Sequence, residues 1–329
     1  MKRISLVGFF VGFAILTALV IWQGADVLSN TLNSAGLAVV GLPAIYLLPL
    51  ICALLSWQWL FAPGKGPTLL FLIYATWINF SINWLLPVGQ VGGEIARIRM
   101  MVNRRLPSSM AIATVIGDQT LQVVTQAIYA LLGFVLFVAV QVDRGETNLQ
   151  LVAVVFLGFV LFGIAGAGFY WLQHAGLFNL LLRIARKFPF FNSNAPIEEQ
   201  AARLDEALKA MYQRGDRLFV ATLWRFAFRI TAAGETWLAF YLLGHPISWI
   251  DALILESMGQ AIRSAAFVIP GGLGAQEGGF VVIGAALGIP GEVALLSSLC
   301  KRLRELCIGV PGLLVWQIRE GQREWGKLS

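Results

Sequence analysis

Long apolar runs joined by short polar segments dominate the chain, and their lengths predict helices that cross a lipid bilayer. About 20 apolar residues span the hydrocarbon as an α-helix. Eight segments meet that ruler: 5–24, 37–62, 68–86, 108–140, 149–173, 217–243, 247–270 and 292–318. Two shorter apolar segments, 92–104 and 276–288, fall below it. Each follows a Pro/Gly break: Pro87, Gly89, Gly92 and Gly93 before the first, and Pro270, Gly271, Gly272 and Gly274 before the second. They read as re-entrant or half helices, a backbone tolerated at membrane depth only where protein or a wet cavity surrounds it. The expected fold class is all-α: a polytopic transmembrane bundle of about eight spans plus two re-entrant helices, with 1–329 forming a single integral membrane domain.

Composition agrees with the pattern. The chain is 58% hydrophobic and 13% charged, with mean hydropathy +0.75, against about a quarter charged in soluble domains. The N-terminal run has a basic start and an apolar core but no convincing small-x-small cleavage site. It reads as a retained first helix. Cys52, Cys300 and Cys307 lie in apolar runs and read as small core residues, while His174 and His245 form no metal cluster. Residues 177–216 are the one sizeable polar segment, and IEEQAARLDEALKAMYQRGDRL has the spacing of an amphipathic connector helix, cytoplasmic or interfacial.

Charge placement orients the chain. The N-terminus, the 63–67 turn, the 97–105 stretch, the 183–217 loop and the tail hold 17 of the 24 Lys and Arg, whereas the opposite loops hold only Arg144. By the positive-inside rule both termini read as cytoplasmic.

A shift of 183 positions aligns Pro87 with Pro270, Gly89 with Gly272, Glu94 with Glu277 and Pro107 with Pro290. The shared skeleton is a long helix, P-x-G-x4-E, a short segment, and a proline opening another long helix. The expected copies are 68–140 and 247–318. With the charge-derived topology they start on opposite sides and are therefore inverted. Inverted repeats with broken helices are a hallmark of secondary transporters, whose sites lie near the midplane where the repeats meet.

The apolar segments also carry ionisable residues, each costing about 2.5–3.5 kcal/mol on insertion scales. Asp118, Gln122 and Gln126 share one helical face, and Glu256, Gln260 and Arg263 another. Arg225 and Arg229 are one turn apart, and Lys301, Arg302, Arg304 and Glu305 cluster in the last span. Six acids (Glu94, Asp118, Glu235, Glu256, Glu277, Glu305) oppose six bases (Arg225, Arg229, Arg263, Lys301, Arg302, Arg304). Two readings stand: salt bridges that hold helices together, or a hydrated cavity for a polar headgroup. The three bases of KRLR favour the second, because the paired acids look too few for them and guanidinium groups bind phosphate in forked geometry.

No metal cluster, Walker loop, Ser-His-Asp set or dinucleotide fingerprint occurs, and PGGLGAQEGG lacks the βαβ context of a nucleotide loop. No enzyme activity, no cofactor and no nucleic-acid partner are expected.

LPVGQVGGEIARIRMM, the GDQTLQ segment at 117–122, FVIPGGLGAQEGGF, KRLREL and VPGLLVW together resemble the membrane domain of lysylphosphatidylglycerol synthases, and among these the stand-alone branch associated with hopanoid biosynthesis. The resemblance covers most of the chain and is most specific in 84–126 and 256–316. It implies a bacterial inner-membrane protein with a flippase-like fold. In two-part synthases a separate cytoplasmic domain attaches lysine to phosphatidylglycerol. That domain is not seen in this sequence, so aminoacyl transfer is not expected.

The function expected is a flippase moving a polar or anionic-headgroup lipid between leaflets. Its partners would be membrane lipids and, through pathway context, lipid-biosynthesis enzymes. A membrane-embedded enzyme acting on a lipid carrier and a scaffold for a lipid-synthesis complex remain as alternatives.

Overall fold

In the computed structural model the described residues are 41–86, 91–145, 197–265 and 274–325. The expected spans 5–24 and 149–173, the first part of the connector, and Pro87, Gly89, Pro270, Gly271 and Gly272 lie outside them. Among the described residues every regular element is helical. The helices are α1 (Leu42–Ile45), α2 (Leu47–Leu60), α3 (Leu69–Leu85), α4 (Gly92–Asn103), α5 (Ser108–Asp143), α6 (Ile197–Tyr212), α7 (Gly215–Leu242), α8 (Trp249–Ala265), α9 (Ala275–Ala286) and α10 (Gly291–Trp325).

The molecule turns its polarity inside out. Val124, Ile128, Leu131 and Val135 form an exposed apolar stripe along α5, at spacings of three and four residues. Leu47, Leu48 and Ile51 on α2, Leu69, Leu70 and Ile73 on α3, and Val310, Leu314 and Ile318 on α10 are exposed in the same way. Among the described residues thirteen charged side chains are buried instead. Charged residues are almost never fully buried in water-soluble proteins unless paired, and contiguous apolar surface of this extent is rare on monomers in water. Hydrocarbon outside and ionic groups inside is the arrangement a bilayer selects. The helices Leu42–Leu60 and Ser108–Asp143 are long and apolar enough to cross a membrane. The other long helices, α7 and α10, have their apolar composition diluted by the ionic groups they bring inward.

Glycines set the closest approaches. A Cβ on Gly133 of α5 would run into Ser257 of α8, and one on Gly312 of α10 would run into Ser81 of α3. A Cβ on Gly309 would lie 2.8 Å from Leu85, so α10 packs against α3 with little room to spare. Trp77 on α3 also donates through Nε1 to the Ile308 carbonyl at 2.9 Å, one turn before Pro311 within α10.

The helix bounds keep the sequence offset. Gly92 and Ala275 open α4 and α9, Asn103 and Ala286 close them, and Ser108 and Gly291 open α5 and α10; each pair stands 183 positions apart. Packing is reciprocal as well: α10 lies on α3 while α5 lies on α8, and the preceding helices α2 and α7 pack on each other.

The described part of the connector is the helix α6, and its apolar face packs on protein. α6 buries Leu204, Leu208 and Met211 against the first turns of α5. Gly117 makes room for Met211, whose Sδ would stand 2.8 Å from an added Cβ.

Candidate functional site

The buried ionic groups assemble around α7, which faces α5 on one side and α8 and α10 on the other. On the α4–α5 side, Asp118 of α5 accepts from two guanidiniums. Arg97 of α4 donates through Nη1 at 2.7 Å, and Arg225 of α7 also pairs with it. Arg97 lies over the Trp57 ring, 4.1 Å from its centroid. The sequence reading grouped Arg97 with the other basic residues of the 97–105 stretch and left it out of the buried set. Arg97 is almost fully buried and adds a seventh base to the buried set.

Glu94 opens the first turn of α4, where a negative charge suits the helix dipole. It accepts from Asn83 Nδ2 of α3 at 3.1 and 3.2 Å and from Gln119 Nε2 of α5. Asn83 also accepts from the Gly93 amide at 2.9 Å. Gly92 and Gly93, read from the sequence as part of the Pro/Gly break, are the first two residues of α4. Gly93 is small because α3 presses on it: an added Cβ would meet Asn79 and, at 2.9 Å, Asn83 Oδ1.

On the other side the buried bases of α10, Lys301, Arg302 and Arg304, each have an acid. Lys301 pairs with Glu256 of α8, which also accepts from Thr236 Oγ1 at 2.6 Å and from Gln260 Nε2 at 3.3 Å. Arg304 pairs with Glu235 of α7 at 2.8 Å, its guanidinium carbon 3.6 Å from the Tyr46 ring centroid. Arg302 bridges Glu277 of α9 at 2.8 Å and Glu305 at 3.1 Å, and Glu305 takes a second bond from Arg263 of α8 at 2.6 Å. Arg263 also donates to Gln276 at 2.9 Å. The expectation that acids are too few for these bases is therefore corrected: four acids meet Arg263, Lys301, Arg302 and Arg304. Removing one member of such a pair strands a buried charge at a cost of about 3–5 kcal/mol.

Of the two broken-helix acids, Glu277 caps its short helix through a backbone amide, whereas Glu94 bonds side-chain amides of α3 and α5. Glu277 Oε2 accepts from the Gly274 amide at 2.7 Å, and Gly274 has φ +80, a conformation that suits glycine. The two acids also contact equivalent positions, since Gln119 bonds Glu94 and Arg302 bonds Glu277, and 119 and 302 differ by 183 as 94 and 277 do. Positions 97 and 118 hold an ion pair, while their counterparts 280 and 301 hold a cation over a ring, with Lys301 Nζ 5.1 Å from the Phe280 centroid.

Two charged groups in this network have no opposite charge within ion-pair distance among the described residues: Glu94 and Arg229. Arg229 of α7 donates to the Gln122 carbonyl at 3.1 Å and lies over Phe228, 5.4 Å from its centroid. Gln122 enters through its backbone, not the side chain that the sequence singled out. Asn83, Arg97, Gln119, Thr236 and Gln276 are the contacts sequence reasoning did not assign. Gln119 had a signal, since it aligns with Arg302 under the offset, and Arg97 follows Glu94 by three residues on the same helical face.

The described residues hold no group of three or more His, Cys, Asp and Glu side chains that could bind a metal ion. Cys52 and Cys300 are buried and Cys307 is exposed on the apolar exterior, all as free thiols. Compared with known proteins, the chain matches the family described as the lysylphosphatidylglycerol synthase TM region over residues 9–312. No curated protein and no solved structure matches it.

Proposed function

The chain belongs to the lysylphosphatidylglycerol synthase transmembrane-region family, and from that premise we propose that it is a non-enzymatic lipid translocator of a bacterial inner membrane. The observation that carries this reading is the inward ionic network, with an acid and a base left unpaired, inside an apolar exterior. A headgroup crossing the hydrocarbon needs polar partners along its way, while its tails stay in lipid. The family membership places the protein in the membrane and supports a lipid-related role.

In this reading α3–α5 and α8–α10 are two inverted copies, and the headgroup passes between them with α7 as the shared wall. The matched helix bounds and the reciprocal packing of α10 on α3 and α5 on α8 support it. Alternating movement of the copies gives access to each side. The paired bases Arg263, Lys301, Arg302 and Arg304 hold the second copy together, and any contact they make with cargo is made by exchanging an acid for a headgroup. Glu94, bonded to neutral amides alone, is free to take a proton during the cycle, whereas Glu277 is tied to Arg302.

The test is transport in vesicles containing the full chain and a trace of fluorescent phospholipid. After dithionite quenches the outer leaflet, vesicles with protein should lose the protected inner-leaflet signal. Glu94→Gln should slow that loss about tenfold or more, as expected for removal of an ionisable group the cycle uses. Identical quenching in protein-containing and empty vesicles across phosphatidylglycerol, phosphatidylethanolamine and hopanoid-bearing membranes would refute transport.

A further inference from the structure

Three buried polar side chains with atoms that bond to nothing in the protein face one another between α5 and α7. Gln126 of α5 is buried with neither its amide nitrogen nor its carbonyl oxygen bonded to protein. The Tyr129 hydroxyl, on the same face of α5 three residues on, has no protein partner either. Opposite them on α7 stands Arg229, with Nε unbonded and no acid paired to it. The site is continuous: Arg229 bonds the Gln122 carbonyl one turn before Gln126, and Tyr129 packs edge-on against Phe226 of α7 at 6.3 Å.

Charge counting decides what fits. Around α8–α10, the four bases Arg263, Lys301, Arg302 and Arg304 are matched by Glu235, Glu256, Glu277 and Glu305. Around α4 and α5, among the buried side chains of the described residues, Arg97, Arg225 and Arg229 face Glu94 and Asp118, an excess of one positive charge. A buried site with one surplus cation suits a ligand with one negative charge. A phosphodiester carries one, whereas a phosphomonoester approaches two. Its oxygens accept from a guanidinium, an amide and a hydroxyl at once, and guanidinium–phosphate bonds are among the stronger charge-assisted ones.

We propose that Arg229, Gln126 and Tyr129 form a binding site for the phosphodiester group of a membrane lipid, one negative charge met by one guanidinium and two neutral donors. The identity of the ligand as a lipid rests on the translocator reading; the site itself rests on the unbonded groups and the surplus charge. The Gln126 carbonyl oxygen is left to accept from a hydroxyl or ammonium further along the headgroup.

The test is lipid retention by the purified full chain in detergent, read by native mass spectrometry with phosphatidylglycerol, with uncharged glucosylceramide, and with inorganic phosphate alone. Wild type should retain phosphatidylglycerol. Arg229→Gln should weaken that retention about tenfold or more, and Gln126→Leu and Tyr129→Phe about threefold or more. Glucosylceramide retention should be weak and indifferent to all three changes. Gln126→Leu and Tyr129→Phe remove groups that bond to no protein atom, so the fold survives them and they decide the matter even where Arg229→Gln fails to fold. Unchanged phosphatidylglycerol retention in these variants, or an equal fall for both lipids, overturns the site. Arg229-dependent binding of inorganic phosphate without lipid retention overturns the lipid assignment. A wild type that retains phosphatidylglycerol but transports none sinks the translocator reading and leaves this site standing.

Discussion

Asp118 and Gln126 lie two turns apart on one face of α5, yet substitutions there should act in opposite directions. Asp118 is the sole acid on Arg97 and Arg225 among the described residues. Asp118→Asn leaves two buried guanidiniums facing a neutral amide and should cost about 3–5 kcal/mol. Gln126 has no bond to lose, so Gln126→Leu without lipid should be neutral or gain about 1–3 kcal/mol by removing an unsatisfied amide. Thermal unfolding in detergent, read by tryptophan fluorescence, compares them. Melting of Asp118→Asn at the wild-type temperature would show that the triad contributes little to the fold. At this scale the sequence was partly legible. Ionisable residues in apolar runs stand out by their transfer cost, which is why twelve of the thirteen buried charges were found in advance. Arg97 was missed because it sits beside Arg99, Arg104 and Arg105 and shares their composition. Only the approach of α4 to α5 distinguishes it from them.

Helix–helix contacts depend on positions where nothing protrudes. Gly133 admits Ser257 between α5 and α8, and Gly312 admits Ser81 between α10 and α3. Gly133→Val or Gly312→Val should separate those pairs and cost at least the about 1–3 kcal/mol typical of overpacking. An added methyl at Gly278 meets nothing within 4 Å, so Gly278→Ala is the matched control. Loss of folded protein on size-exclusion chromatography for the first two, with the control intact, is the expected result. If Gly133→Val remains monodisperse and equally stable, the close approach of α5 and α8 is not structural. Element positions were legible because hydrophobic run length and proline breaks are local properties. The predicted 92–104 and 276–288 became Gly92–Asn103 and Ala275–Ala286. The predicted 37–62 is, in its described part, two consecutive helical pieces meeting at Tyr46, where Pro49 has no N–H to donate back to the Ile45 carbonyl.

For the molecule as a whole, orientation is the open prediction. Lys65 and Arg144 should lie on opposite sides of the membrane, with Lys65 cytoplasmic. In a cysteine-free background, Arg144→Cys should react with an impermeant maleimide added outside spheroplasts, and Lys65→Cys should react only after permeabilisation. The reverse pattern would overturn the assigned direction of both repeats. Arg144 is suited to the test because it sits partly exposed at the end of α5, donating to the Leu287 carbonyl at 2.7 Å and lying 3.7 Å from Asp251.

The one-dimensional pattern by itself determined the class of molecule, its helix boundaries, the recurrence at 183 positions and most of the intramembrane charges. All of these follow from run length, residue type and spacing, which are properties of neighbours along the chain. The tertiary structure alone decided which charge meets which. Ion pairing is a matter of distances between helices far apart in sequence, and a list of equal numbers of acids and bases does not say who is left over. That selection turned the favoured headgroup ligands on α10 into ion-pair partners of four acids, brought Arg97 inside, and left Arg229 beside two unbonded polar side chains as the place where a further negative charge fits.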